Sequence, residues 1–140
     1  MIEFQFDDGI SLPGLDQGRV FRWLHAVAGS HGHVVGDICY RFCDDAQILE
    51  TNRQFLGHDY FTDIITFDYT EGRKISGDVL ISVDTVRSNA EEMGISFDNE
   101  LLRVIVHGVL HLCGINDKGP GEREQMEAAE NAALALYSEI

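Results

Sequence analysis

The stretch HGVLHLCGIND, which spans residues 107 to 117, holds residue types that bind divalent metal ions. On an α-helix, residues four apart lie on one face with their Cβ atoms ~5–6 Å apart. His107 and His111 can therefore direct two imidazoles at one ion. Gly114 allows a sharp turn after the helix, which brings Asp117, an oxygen donor that zinc accepts, to the same ion. The spacing predicts a metal site made by His107, His111 and Asp117.

The alternative interpretation is a buried helix that carries two incidental histidines. Four polar residues of this helix fall on one stripe, namely Glu100, Arg103, His107 and His111. Buried imidazoles without partners are costly, and the glycine and aspartate follow at the spacing that metzincin peptidases use. These observations favour the metal site.

The residue after the first histidine bears on the reaction. In zinc peptidases it is a glutamate, the general base, whereas here it is Gly108, which argues against an ordinary zinc peptidase. Zinc still lowers the pKa of a bound water to ~7, and three protein ligands leave a fourth position for that water. Hydrolysis by a metal-bound water is therefore the expected reaction class, of a peptide, an ester or a phosphodiester. Close packing of the helix on a strand explains Gly108 at least as well as a catalytic reason.

Composition restricts the class of protein. The chain has 140 residues, 44% of them apolar, which suits one domain with a hydrophobic core. It shows neither a signal peptide nor the ~20-residue apolar run of a membrane span, and its three cysteines indicate reduced thiols. We therefore expect a soluble, cytoplasmic protein with no membrane partner. The formal net charge of −14, taken alone, argues against nucleic-acid binding.

Hydrophobic periodicity predicts an α+β fold in a single domain, residues 1–140, with about four strands and about five helices. The helix that carries the histidines is apolar nearly all round, so we expect it to be central. The predicted strands are 2–6, 37–43, 62–67 and 78–82, and the predicted helices are 16–28, 44–55, 84–93, 96–112 and 121–137.

The stretch HGVLHLCGIND resembles the signature His-Gly-x-Leu-His-Leu-x-Gly-Tyr-Asp-His of the YbeY family of metal-dependent endoribonucleases. Residues 52–67 are similar to that family's Asn-x-x-Tyr-Arg-x-x-Asp-x-x-Thr-Asp-Val-Leu-Ser-Phe, and residues 77–82 to its Gly-Asp-Ile-x-Ile-Ser strand. Met126 and Glu130 stand where the family's last helix carries Met and Glu. The resemblance extends from about residue 36 to the end.

The resemblance implies a zincin-like α+β fold with a mixed sheet, and one bound divalent metal ion, usually Zn²⁺. It also implies a cytoplasmic location. The implied activity is cleavage of single-stranded RNA in maturation of the 16S ribosomal RNA 3′ end and in ribosome quality control. The implied partners are single-stranded ribosomal RNA and the small ribosomal subunit or a ribosomal protein.

Two positions depart from the family's pattern. Asp117 replaces a histidine as the third ligand, which changes the charge and hardness of the site and hence its preference among metals. Leu56 replaces an arginine, a cation that would stabilise phosphate charge in a transition state. Arg103, one turn before His107, and Lys118, beside Asp117, are candidates to supply that charge. The alternative for both is a solvated surface residue.

Further residues are candidates for supporting roles. Metal-bound histidines usually donate their other ring N–H to an acceptor, and Asp63 or Asp78 could be that acceptor, although such carboxylates as often cap a loop or helix. His58 is a weaker candidate for a cleft residue. Cys113 is expected in the core and not at the metal.

Three functions remain open from the sequence. The first is a metal-dependent endoribonuclease that acts on ribosomal RNA. The second is a zincin-type metallopeptidase, which Gly108 disfavours. The third is a non-catalytic ribosome-assembly factor with a structural metal, which Leu56 and the net charge of −14 favour. Four protein ligands would indicate a structural metal, and an open position would indicate hydrolysis.

Overall fold

Four strands form one sheet, which the helices cover, in a computed structural model that describes residues 1–57 and 62–140. Its elements are β1 (Ile2–Phe6), α1 (Gln17–Ser30), β2 (Val34–Cys43), α2 (Asp45–Thr51), β3 (Ile64–Asp68), β4 (Lys74–Ser82), α3 (Val83–Met93), α4 (Phe97–Leu112) and α5 (Glu122–Tyr137). A π-helical turn, Asn52–Leu56, follows α2 directly. None of the helices in these described ranges is long and apolar enough to cross a membrane.

The sheet is mixed, with the strand order β1-β2-β4-β3. β1 pairs with β2 and β2 pairs with β4 in parallel, whereas β3 pairs with β4 in the antiparallel sense. The parallel pairs need helical crossovers, while the short connection between β3 and β4 permits antiparallel pairing. The prediction of an α+β fold with a four-stranded mixed sheet and five α-helices is confirmed for the described residues.

The helix that carries the histidines is central, as predicted. α4 contacts β3, β4, α1, α3 and α5. Its residues Val106, Val109 and Leu110 are fully buried, and the carbonyl oxygen of Ile105 accepts a hydrogen bond of 2.7 Å from the buried hydroxyl of Tyr40 on β2. This packing fixes the position of the polar face of α4.

Capping side chains determine where four of the helices begin. Each of them accepts a hydrogen bond from the backbone N–H three residues later, which satisfies one of the free donors at a helix start. These caps are Asp16, Asp44, Ser82 and Ser96.

Three boundaries differ from the sequence prediction by three residues or more. The α-helical pattern expected to continue to Phe55 ends at Thr51, and a π-helical turn carries the chain to Gly57, which adopts a left-handed conformation with φ 67°. β2 and β4 begin earlier than predicted, at Val34 and Lys74, because these residues pair with each other through their backbones. Such pairing needs no apolar side chains, so hydrophobic alternation does not reveal it.

Candidate functional site

A cleft of about 440 Å³ is lined by α4, α5, β3 and the loop that follows α4. The sequence singled out five residues as ligands or as sources of positive charge. All five line this cleft: His107, His111, Asp117, Arg103 and Lys118. The structure therefore brings into one cleft residues of α4 and of the loop that follows it directly.

Both ring nitrogens of His107 face carboxylates. Nδ1 lies 2.8 Å from Oε2 of Glu130, which is a hydrogen bond, and Nε2 lies 3.4 Å from Oδ2 of Asp117. The second distance is too long for a charge-assisted hydrogen bond, which measures ~2.7–2.9 Å. A tetrahedral zinc ion ~2.1 Å from each donor separates two ligand atoms by ~3.4 Å. The separation of His107 and Asp117 therefore fits two ligands of one ion.

The carboxylates around His107 also raise its basicity. Burial, the largest single influence, lowers the pKa of His107. The hydrogen bond and charge of Glu130, with the charges of Asp117 and Asp63, outweigh burial and raise that pKa above its ordinary value. An imidazole whose Nδ1 bonds a carboxylate is the form in which metal-binding histidines usually occur.

Glu130 is the acceptor that the sequence analysis missed. Asp63 and Asp78 were the candidates, but the carboxylate of Asp63 accepts from Nδ2 of Asn89 at 3.4 Å, and that of Asp78 accepts from the hydroxyl of Tyr69 at 3.4 Å. The sequence indicated Glu130 only through its match to a glutamate in the family's last helix. Its separation from His107 by 23 residues gave no reason to pair the two.

Arg103 holds Glu130 in place. Its Nη1 donates to Oε1 of Glu130 at 3.1 Å and to Oδ1 of Asn131 at 3.4 Å, and its Nε lies 3.6 Å from Oε1 of Glu100. The side chain of Glu130 is only 8% exposed, so its charge requires the compensation that Arg103 and His107 provide. Arg103 therefore acts on the site through Glu130.

Further carboxyl groups make the cleft favourable for a cation. Burial raises the pKa of both Asp63 and Glu100, although the charge of His107 opposes the change at Asp63 and that of Arg103 opposes it at Glu100. Oε1 of Glu100 is buried and accepts no hydrogen bond from the residues that the structure describes. Among residues 1–57 and 62–140, the acidic residues that line the cleft are Asp63, Glu100, Asp117, Glu127 and Glu130, and the lysine and arginines are Arg103, Lys118 and Arg123.

The predicted ligands fit zinc in type, although they do not form a closed cluster. Within residues 1–57 and 62–140, no three His, Cys, Asp or Glu side chains are grouped closely enough to hold an ion. His107 and Asp117 stand at a ligand-to-ligand separation, and His111 shares their cleft. Two imidazoles and one carboxylate are a usual donor set for catalytic zinc. The metal site stays a prediction that the donor chemistry supports.

Gly108 is accounted for by packing. A Cβ atom at this position would lie 3.2 Å from Cγ1 of Val79 and 3.5 Å from Cδ1 of Ile64. These residues belong to β4 and β3, so the glycine lets α4 approach the sheet closely. The close-packing interpretation made from the sequence agrees with this contact.

The remaining candidates lie elsewhere. His58 lies outside the described residues. Cys113 packs against the hydrophobic core, and burial raises its pKa to about 11, as suits a core thiol. All three cysteines are free thiols. Leu56, on the π-helical turn, lines the cleft and presents an apolar side chain there.

The fold and the cleft define a class of small α+β proteins in which a mixed four-stranded sheet supports a cleft rich in histidine and carboxylate. A protein from Thermotoga maritima with a known solution structure has this fold. The two align with a TM-score of 0.64 at 25% identity, over 99% of this chain and 93% of the other.

Sequence similarity narrows this class to one family. The family model described as endoribonuclease YbeY matches residues 19–138. The endoribonuclease YbeY of Phocaeicola vulgatus is 61% identical over 138 residues, 99% of each chain. That of Bacteroides thetaiotaomicron is 58% identical over 129 residues, 92% of this chain and 94% of the relative. The chain belongs to the YbeY family.

Proposed function

We propose that the protein is a metal-dependent endoribonuclease that hydrolyses single-stranded RNA. The observation that carries the proposal is the geometry of His107 in a chain of the YbeY family: Nδ1 bonds Glu130, and Nε2 lies 3.4 Å from Oδ2 of Asp117. His107, His111 and Asp117 would hold one divalent ion, for which zinc suits the donors. When bound, such an ion lowers the pKa of water and stabilises charge on a phosphoryl oxygen.

The residues around the ligands support this chemistry. Glu130 accepts the Nδ1 proton of His107, which leaves Nε2 as the nitrogen with a lone pair for the ion. Arg103 compensates the charge of Glu130. The cleft, at about 440 Å³, has the size of a small-molecule pocket. A cleft of that size accommodates a single nucleotide.

The proposed biological role is maturation of the 16S ribosomal RNA 3′ end and ribosome quality control, in the cytoplasm. The curated relatives are named endoribonucleases, which supports an RNA substrate. A net charge of −14 repels RNA at long range. A protein of the small ribosomal subunit is therefore the partner that we propose brings this acidic chain to ribosomal RNA.

The test compares cleavage of a single-stranded RNA by the wild type, His111→Ala and His25→Ala, all purified identically and analysed for zinc. His25 is an exposed histidine on α1, outside the cleft, and serves as the matched control. We expect the wild type and His25→Ala to cut, and a folded His111→Ala to be inactive. Equal cutting by all three would indicate a contaminating nuclease and contradict the proposal.

Two other outcomes would favour the ribosome-assembly factor. In the first, zinc-loaded wild type is as inert as His111→Ala. In the second, His111→Ala unfolds, as expected when a metal is structural, because its binding free energy is then folding free energy. Circular dichroism of each variant distinguishes unfolding from loss of activity.

A further inference from the structure

Both arginines that line the cleft are compensated by carboxylates. Arg103 lies 3.1 Å from Oε1 of Glu130 and 3.6 Å from Oε1 of Glu100. Nε of Arg123 lies 3.2 Å from Oε1 of Glu127, one turn further along α5. The charge of Arg103, in a partly buried pair, is therefore largely offset, and an incoming phosphate would have to compete with its carboxylates. Arg123 is 81% exposed, so its pair with Glu127 is a surface ion pair that offsets its charge less.

Lys118 differs from the two arginines. It lines the same cleft, its side chain is exposed, and no ion pair or hydrogen bond of its ammonium group occurs within residues 1–57 and 62–140. It also follows Asp117 directly in the chain, and the carboxylate of Asp117 lies 3.4 Å from Nε2 of His107. An uncompensated positive charge thus stands beside the predicted metal ligands.

The acidic lining of the cleft makes the positive charge of Lys118 important for binding a phosphate. Five carboxyl groups of the described residues line it, and Leu56 contributes only apolar surface from the π-helical turn. A phosphodiester brings a further negative charge into these surroundings. Among the described lysines and arginines of the cleft, Lys118 is the one whose positive charge is available to a phosphate without breaking an ion pair.

We propose that Lys118 contacts a non-bridging oxygen of the scissile phosphate and stabilises the negative charge that develops there; this inference rests on the proposed function. In the hydrolysis, the oxygen of a water molecule bonds to phosphorus, the bond from phosphorus to the leaving ribose oxygen breaks, and a proton from the water ends on that oxygen. Charge accumulates on the non-bridging oxygens during this displacement. An ammonium group offers three donors and a compact charge to such an oxygen.

The chain offers a matched control, because Lys118 and Lys74 are its two lysines. Lys74 is exposed at the start of β4 and does not line the cleft, and Lys74→Ala changes the net charge by the same amount as Lys118→Ala. We expect Lys118→Ala to lower kcat/KM for single-stranded RNA roughly 10- to 100-fold, mainly through kcat. Lys74→Ala should stay within about 2-fold of the wild type, and Lys118→Arg should recover most of the loss, because it restores the cation.

Each outcome distinguishes this inference from the proposed function. If the wild type cuts and Lys118→Ala cuts as fast as Lys74→Ala, the role of Lys118 is overturned and the endoribonuclease stands. Loss of bound zinc in Lys118→Ala, measured by metal analysis, would also overturn it, because the lysine would then act on the ion and not on the phosphate.

If the zinc-loaded wild type leaves the RNA intact, a binding measurement tests whether Lys118 contacts an RNA phosphate. The same fluorescent single-stranded RNA then serves as an anisotropy probe over a range of salt concentrations. One lost phosphate contact should reduce the slope of log K against log salt by about 0.7 in Lys118→Ala and leave it unchanged in Lys74→Ala. Equal slopes, or no binding of RNA by the wild type, would overturn the inference.

Discussion

Glu130 orients the imidazole ring of His107 through a hydrogen bond to Nδ1. Its two oxygens are divided between His107, at 2.8 Å, and Arg103, at 3.1 Å, in surroundings that leave its side chain 8% exposed. With Nδ1–H donating to Glu130, Nε2 would be the nitrogen with a lone pair for an ion. A single carboxylate on α5 therefore orients the imidazole of His107, a proposed ligand on α4.

We predict that Glu130→Gln lowers the affinity for zinc roughly 10- to 100-fold, because the neutral amide no longer orients His107 or compensates Arg103. Competition with a chromophoric chelator measures the affinity. Glu124→Gln, an exposed residue of α5 outside the cleft, is the control and should bind zinc as the wild type does. Equal affinities in the two variants would mean that Glu130 does not support the ion.

The sequence reveals local relations between residues better than distant ones. His107, His111 and Asp117 lie within eleven residues, so helix and turn geometry suffices to predict that they share a cleft, as they do. Glu130 comes from another helix, and only tertiary packing joins it to His107. The sequence offered Arg103 and Lys118 equally as sources of positive charge. Only the fold distinguishes them, because it pairs Arg103 with Glu100 and Glu130.

The elements that position the site meet where α4 crosses the sheet. Gly108 allows α4 to lie close to Val79 of β4 and Ile64 of β3. α5 is held from the other side by α1, since Nε1 of Trp23 donates a buried hydrogen bond of 2.7 Å to the carbonyl oxygen of Ala133. Gly108, Val79, Trp23 and Ala133 do not themselves line the cleft, yet their contacts position the helices that do.

We predict that Gly108→Val lowers the free energy of unfolding by ~1–3 kcal/mol, because the added side chain overpacks against Val79. Urea denaturation measures this change. Gly29→Val is the matched control, since Gly29 also lies in a helix, α1, and a Cβ there meets nothing within 4 Å. Equal stability of the two variants would show that a side chain at residue 108 does not overpack against Val79.

We predict that Trp23→Phe lowers the free energy of unfolding by ~1–3 kcal/mol, since it removes the buried hydrogen bond from the indole to the carbonyl oxygen of Ala133 and leaves a space in the core. Thermal and urea unfolding measure the loss. A variant as stable as the wild type would show that water or another donor replaces the indole.

Hydrophobic patterns identified most of these elements but not how they are arranged. Each of the five predicted helices and four predicted strands corresponds to an element of the structure. The order β1-β2-β4-β3 depends on non-local pairing, which the pattern of one strand does not encode. The π-helical turn after Thr51 has the same apolar spacing as the end of an α-helix, so the sequence could not distinguish the two.

The whole molecule carries a net charge of −14, and its cleft concentrates several carboxylates. A divalent cation in this cleft would offset part of that charge in the folded state alone. Metal binding is therefore expected to be linked to the stability of the entire domain.

We predict that zinc at ~100 times its dissociation constant stabilises the wild type by ~2.7 kcal/mol, which raises Tm by roughly 5–10 °C. His111→Ala, which lacks one proposed ligand, should show a much smaller shift at the same zinc concentration. Differential scanning calorimetry measures both, and a chelator should reverse the shift. Identical shifts in the two proteins would place the zinc elsewhere.

The helical hairpin of α4 and α5 carries both the proposed ligands and the carboxylate that orients His107. By contrast, the sheet has to join strands as far apart in sequence as Ile2 and Ile38. Contacts between nearby residues form faster during folding than contacts between distant ones. This wall of the cleft can therefore assemble before the sheet closes. An ion held by the proposed ligands would then serve as a template for the nascent hairpin, and the refolding rate would depend on the supply of metal.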